Sequence, residues 1–338
     1  MGVIRWIKNC WQQWRLRKLR VVVPDLPQEP PGPVPTLEIF SQAGHGKSSY
    51  LWSLLYMLRK MSIVWPDYLC TPQDDATEEA LKRIHESVRG ALLPAPGATE
   101  NKHRYALHLQ SMERWGDRKL SVWDWPDPVF MASLDGDRPE RTNWLAPSLW
   151  LVSLQDLGRV RTEILDMLFD DLMRTRTLQG FAAYTRPFRL VVVLTKADAI
   201  PNLPLSLRQY LKDDPLRDAV RSEVSLLSPP PSSPSEPLRL KDDSLREYLG
   251  RLALVHQEIH HWLETTLVGH MLIRRAAAYH VELRFSIVSA TGSGLVDGQS
   301  LQLPWSPRRV LDPLFWALEL DSLPFDEDQA ATGYGDRA

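Results

Sequence analysis

Lys47 stands between Gly46 and Ser48 in the run Ser41-Gln42-Ala43-Gly44-His45-Gly46-Lys47-Ser48, a combination of residue types suited to holding a polyphosphate. Glycines let the backbone bend closely around a β-phosphate, a lysine ammonium reaches the β- and γ-oxygens, and a serine hydroxyl can sit on Mg²⁺. Gly44, His45, Gly46, Lys47, Ser48 and Ser49 are therefore the candidate phosphate-binding residues. One position departs from G-x-x-x-x-G-K-[ST]: Ser41 occupies the first glycine position, and serine lacks glycine's ease at positive φ. The plainer alternative is a glycine-bearing loop ahead of a core helix, with Lys47 a solvated helix-start residue.

A second set of polar residues falls at the ends of apolar runs. Thr195-Lys196-Ala197-Asp198 follows Arg189-Leu190-Val191-Val192-Val193-Leu194, and Ser289-Ala290 follows the run from Val281 to Val288. In an open α/β sheet the carboxyl ends of the strands are where ligands bind. A carboxylate at Asp198 can accept from the N1–H and the 2-amino group of guanine together, a pair that adenine does not offer. The Lys196 stem can lie over the base, Thr195 can tie this loop to the phosphate loop, and the Ala290 amide can reach O6. Asp124 closes a further strand-like run and is a candidate Mg²⁺ ligand through water. Thr99 can give the metal a second hydroxyl when a γ-phosphate is present. The plainer readings are a helix N-cap for Asp198 and a strand-end acid for Asp124. His256 and His260 have the i, i+4 spacing of a metal pair, with His261 beside them, but no third ligand accompanies them and a packed or solvated helix face accounts for all three.

The elements that must position these groups can be read from periodicity. Leu37, Ile39 and Phe40 form a buried strand before the loop, and Leu51, Leu54, Leu55 and Leu58 mark one face of the helix after it. A long stretch, residues 61–98, reads as an insertion with a helix around Thr77 to Arg89. Tyr105 to Met112 and Lys119 to Trp123, separated by Trp115-Gly116-Asp117, form an antiparallel hairpin. A strand from Ser148 to Leu154 leads into a helix expected over Asp156 to Thr177. The β-branched run ending at Leu194 suits a strand buried on both faces of a parallel sheet. Shorter helices, a Ser/Pro-rich break at Ser228 to Pro237 and one long helix from Asp243 to Leu267 fill a second insertion, residues 202–270. Val281 to Val288 is the last strand, and a helix through Leu318 follows the starts at Ser306-Pro307 and Asp312-Pro313.

Composition sets bounds on the class. The 338 residues are 43% hydrophobic and 24% charged with a formal net charge of −2, so a sizeable core is expected and no basic field points to nucleic acid. Cys10 and Cys70 are isolated, as expected for a reducing cytoplasm, and no apolar run or leader pattern indicates a span or a signal peptide. Residues 1–20 interleave Trp6, Trp11 and Trp14 with six basic residues and no acid, which suits docking to a membrane surface or partner, or packing on the protein's own body. Residues 21–35 are a proline-rich linker, and 321–338 an acidic flexible tail. Most of the thirteen tryptophans are expected in the core, with Trp125 a candidate to touch the nucleotide or a moving switch.

This order of motifs resembles the TRAFAC clade of P-loop GTPases, in which SQAGHGKS, Thr99, DWPD, TKAD and SA would be the five motifs. More narrowly it is similar to the bacterial double-GTPase (DO-GTPase) group, in its long spacing before Thr99, its aromatic-rich hairpin and its Arg-Val-Leu-Asp-Pro-Leu segment. The likeness covers residues 36–320. It implies a three-layer P-loop NTPase fold with a mostly parallel central sheet, one antiparallel hairpin strand and helices on both faces. It also implies binding of GTP or GDP with Mg²⁺ in a cytoplasmic switch. Two departures alter the expected chemistry. Asp127 stands where these GTPases have the D-x-x-G glycine, and a carboxylate there would repel a γ-phosphate; Pro128 cannot orient an attacking water. Slow hydrolysis is expected, on the order of 10⁻⁴ s⁻¹ as in unassisted small GTPases, with a protein partner supplying what is missing. Thr99, Asp127 and His45 are the weak catalytic candidates. The alternative is a hydrolysis-deficient scaffold or interaction subunit of a larger bacterial assembly. Association of two copies is left open, as is contact of residues 1–20 with the inner membrane face.

Overall fold

The structure is a computed structural model that describes residues 36–42, 44–65, 67–89, 103–112, 116–124, 147–160, 165–166, 168–170, 188–218, 242–292, 295–296, 300–301 and 306–320. Residues 1–35, Thr99, Trp125, Asp127, the Ser228 to Pro237 break and the 321–338 tail lie outside the described residues.

Seven strands make one sheet: β1 (Thr36–Ser41), β2 (Leu69–Pro72), β3 (His103–Gln110), β4 (Arg118–Asp124), β5 (Ser148–Ser153), β6 (Phe188–Thr195) and β7 (Val281–Ile287). Their order across the sheet is β2-β3-β4-β1-β5-β6-β7. Only β3 runs against the others: it pairs antiparallel with β2 and β4, while β4, β1, β5, β6 and β7 pair in parallel. The period of two along each strand divides the core. Leu37, Ile39, Leu149, Leu151, Val191 and Val193 face one cluster, and Phe40, Trp150, Val152, Leu190, Val192 and Leu194 face the other. Both faces of the central strands are thus dry, which is why β6 reads as an unbroken apolar run.

Helices α1 (Lys47–Lys60), α2 (Asp75–Arg89) and α6 (Asp312–Ala317) cover the first face. Helices α3 (Leu205–Lys212) and α5 (Leu267–Ala278) cover the second. Helix α4 (Asp242–Glu264) sends Tyr248, Leu249 and Leu252 into the first cluster and Val255, Ile259 and Leu263 into the second, so it passes around the β7 edge. There His256 Nδ1 accepts the Phe285 N–H at 3.1 Å, occupying a donor that the edge strand would otherwise expose.

The structure departs from the sequence reading in four places. Of the two expected helix starts, Asp312-Pro313 opens α6, whereas Ser306-Pro307 leads into an extended bridge at Arg308. Residues 69–72, inside the stretch read as an insertion, add β2 to the sheet edge; four residues ending in proline are too short to show a period, and proline is tolerated there because an edge strand needs donors on one side only. The long helix expected from Asp243 to Leu267 is α4, which ends three residues sooner at Glu264, and α5 follows it as a helix the sequence reading did not include. The chain turns at Thr265-Thr266, where Thr266 Oγ1 caps α5 by accepting the Gly269 N–H at 3.1 Å. Gly269 allows the tight corner, since a Cβ there would lie 2.2 Å from Leu263 O. The helix expected from Asp156 instead opens as a 3-10 turn, Leu157–Arg159, followed by extended backbone at Val160. Gly158 weakens helix formation at that point.

Candidate functional site

The glycine loop joins the carboxyl end of β1 to α1 at the centre of the sheet. Gly44 and Gly46 take φ of 81° and 83°, left-handed conformations that cost an L side chain roughly 1–2 kcal/mol. Ser41 does not share that requirement. It is the last residue of β1, in strand conformation, so a serine at the usual glycine position introduces no backbone strain. Gly46 is the N-cap of α1 and no side chain caps the helix start. The first-turn N–H groups and the positive end of the helix dipole make such a start favourable for an anion.

Lys47 Nζ donates to Asp124 Oδ1 at 2.7 Å, with side-chain exposures of 4% and 2%. The register β1–β4 sets this contact, because Asp124 lies opposite Ile39 at the end of β4. The same acid, after burial itself, helps push the Tyr105 hydroxyl up to about 12. Ser48, half-buried in the first turn of α1, and Asp124 are oxygen donors of the kind Mg²⁺ takes, and their types fit that ion. Ser49 is half-buried one residue further along the helix.

On the β6 side, Thr195 Oγ1 donates to His45 O at 2.7 Å, which fastens the end of β6 to the glycine loop. The buried His45 ring lies beneath that loop with Nδ1 3.4 Å from Leu151 O. Lys196 has φ 57°, and its Cε is 4.0 Å from the point a Gly46 Cβ would occupy, so the lysine stem runs across the loop. Asp198 is exposed in the 3-10 turn Ala197–Ala199 and accepts from Ser289 Oγ. Ser289 Oγ in turn accepts the Gly292 N–H at 3.0 Å. The Ala197 N–H donates to Val288 O at 3.3 Å, so the β6 and β7 ends are tied through the backbone as well.

The structure therefore brings Gly44, His45, Gly46, Lys47, Asp124, Thr195, Lys196, Asp198, Ser289 and Ala290 to one edge of the sheet. Thr99 and Asp127 lie outside the described residues. Sequence reasoning missed Ser53, whose Oγ lies 2.6 Å from Ala290 O and 2.8 Å from Ser49 O; its one proton serves one acceptor at a time. Nothing in the spacing of Ser53 and Ala290, 237 positions apart, could have paired them.

Strand order, the glycine loop between β1 and α1, and helices on both faces define a three-layer P-loop NTPase fold. No family model matches this chain, and no curated protein does. Among solved structures it is similar to the signal recognition particle receptor SRb-GTP/SRX complex from Chaetomium thermophilum, at 11% identity and TM-score 0.32 over 78% of this chain and 94% of that one. It is also similar to Methanosarcina barkeri Roco2 RocCORdC bound to GDP, at 13% identity and TM-score 0.27 over 68% and 58%. A third is the S. cerevisiae Ski7 GTPase-like domain bound to GTP, at 13% identity and TM-score 0.35 over 86% and 50%. Scores this low lend no weight, and the fold stands on the chain's own topology.

Among the described residues, no helix is long and apolar enough to cross a membrane, and no group of three or more His, Cys, Asp or Glu could hold a metal ion.

Proposed function

We propose that this protein binds a guanine nucleotide and acts as a switch whose hydrolysis is slow and partner-dependent. The observation that carries the reading is the shared position of Lys47 and Asp198, linked through His45, Thr195 and Ser289. Lys47 and the start of α1 take the phosphates. Asp198, held by Ser289, takes the N1–H and 2-amino edge of the base, with Lys196 lying along its face. Bound Mg²⁺ would neutralise charge on the β- and γ-oxygens, held by Ser48, by Asp124 and, in the triphosphate state, by Thr99. The double-GTPase resemblance belongs to this reading.

The test is calorimetric titration with GDP, GTP and ADP in Mg²⁺, followed by phosphate release from GTP. Two charge-assisted hydrogen bonds from the base to Asp198 give an expected preference for GDP over ADP of roughly 100-fold or more. Equal affinity for ADP would sink the base assignment. Asp127 and Pro128 favour a second reading, a scaffold that binds nucleotide without hydrolysis. Phosphate release, alone and with candidate partners, separates the two.

A further inference from the structure

Residues 306–309 grip the base-side loop from behind. The Arg308 N–H donates to Ser289 O at 2.8 Å and the Ser289 N–H to Arg308 O at 3.1 Å, a two-way antiparallel bridge. The Ser306 N–H donates to Thr291 O at 3.2 Å. Gly292, at φ 74°, sits so close that a Cβ would lie 1.7 Å from Ser306 O. Ser289 is the residue whose hydroxyl holds Asp198. The place of this short segment therefore decides where the partner of Asp198 stands.

Arg309 anchors the segment. It is 1% exposed and holds a left-handed backbone at φ 57°. Its N–H donates to Asp214 Oδ2 at 2.6 Å, its Nε to Tyr210 O at 3.1 Å, and its Nη2 to Asp213 O. The guanidinium carbon lies 3.7 Å from the Tyr210 ring centre and 5.2 Å from that of Tyr248. Both tyrosine hydroxyls donate to Asp312, which is buried at the start of α6. Arg217 Nε adds a bond to Ser306 Oγ at 2.6 Å. A planar fork that meets two carbonyls and two rings cannot be reproduced by a lysine. Burying a cation carries a desolvation cost that an apolar side chain would not. What the burial secures is a fixed turn directly behind Ser289.

We propose that Arg309, held by Asp214 and the rings of Tyr210 and Tyr248, is a positioning residue for base recognition, setting the stance of Asp198 through the Arg308–Ser289 bridge. The inference rests on the guanine reading of the site. It predicts that damage to this anchor, which touches neither base nor phosphate, reduces selectivity for the base and spares the phosphate loop.

The test uses the full chain and three ligands, GDP, ADP and pyrophosphate, titrated by calorimetry. Arg308→Pro removes the N–H donated to Ser289 O, whereas Arg308→Ala keeps it. The proline variant is expected to lower the GDP-over-ADP ratio roughly tenfold, the loss of about one hydrogen bond's discrimination, with pyrophosphate affinity within about twofold. The alanine variant is expected to hold the ratio within about threefold. Arg309→Lys should follow the proline variant, and if it fails to fold the Ala and Pro pair decides. An unchanged ratio in the proline variant overturns the proposal, as do equal losses of GDP and pyrophosphate or the same loss with alanine. A parent chain that binds GDP no better than ADP removes the guanine reading itself, a failure visible before any substitution is made.

Discussion

Lys47 and Asp124, 77 positions apart, form a buried ion pair at 2.7 Å where β4 ends beside the glycine loop. Each side chain neutralises the other in a place that water does not reach. On the proposed reading, a phosphate at the loop would draw Lys47 toward itself, and Asp124 would then take a new cation, which Mg²⁺ on a nucleotide can supply. On that reading the pair keeps both side chains in place while each matches the other's charge.

Removing one member leaves the other buried and uncompensated. Lys47→Met is expected to lower the unfolding free energy by about 3–5 kcal/mol and to abolish nucleotide binding. The double variant Lys47→Met, Asp124→Leu should recover most of the stability and none of the binding. Urea unfolding and GDP titration measure the two effects separately; equal stability of the single variant and the parent would contradict the buried pairing.

Thr195 links the two halves of the site through one hydroxyl. Thr195→Val keeps the shape and removes the hydrogen bond to His45 O, a loss expected to cost about 0.5–1.5 kcal/mol of stability. GDP affinity is expected to fall by roughly tenfold, because the loop loses its tie to β6. A thermal melt and a GDP titration of this variant test the point, and an unaltered affinity would show that the loop is held by other means.

Asp198→Asn exchanges an acceptor for a mixed donor and acceptor, so guanine loses one hydrogen bond and xanthine gains one. The GDP preference over XDP is expected to collapse or invert, by roughly 100-fold in the ratio. Ser289→Ala keeps the carboxylate but frees it, and should lower GDP affinity more modestly, by about tenfold. Competition with a fluorescent nucleotide gives both ratios.

The pH dependence of stability has a term from His256. Burial first, then the Arg284 and His260 charges, bring its pKa down from 6.5 to about 4, against the opposing pull of Glu282. The folded state therefore binds fewer protons than the unfolded one in that window. The stabilisation is complete above about 6.5 and is lost as pH falls toward 4; discounted for partial exposure, it amounts to about 2 kcal/mol. Asp312 acts with the opposite sign, since burial raises its carboxyl from 3.8 to about 6 despite Arg309 and the tyrosine hydroxyls, and its contribution is lost as pH rises through 6. The informative measurement is the difference in unfolding free energy between the parent and His256→Gln from pH 4 to 7. That difference should shrink on acidification, and a flat difference would contradict the assignment.

Periodicity and local motif made much of this molecule legible from its sequence. The apolar run around Ile39, the glycine loop and the i, i+3, i+4, i+7 leucines of α1 each depend on neighbours a few positions apart. The same holds for the β-branched run of β6, where burial on both faces removes any need for polar alternation. Helix α2 was legible for the same reason, whereas β2 was too short to display a period. The end of α4 was legible to within three residues, whereas α5 was not, because its start depends on a corner turned at Gly269 and a glycine inside an apolar helix pattern is a weak signal by itself.

By itself the sequence determined the order of the main strands, the residue types at their ends and the glycine loop ahead of α1, since all of these follow from local sterics and spacing. Tertiary structure alone decided that Lys47 pairs with Asp124, that Ser53 reaches Ala290, and that Arg308 pairs with Ser289. Each of those contacts joins residues brought together by strand register or by the path of the chain behind the sheet. Register depends on how two faces of side chains fill one core, a collective quantity that no single stretch of residues carries.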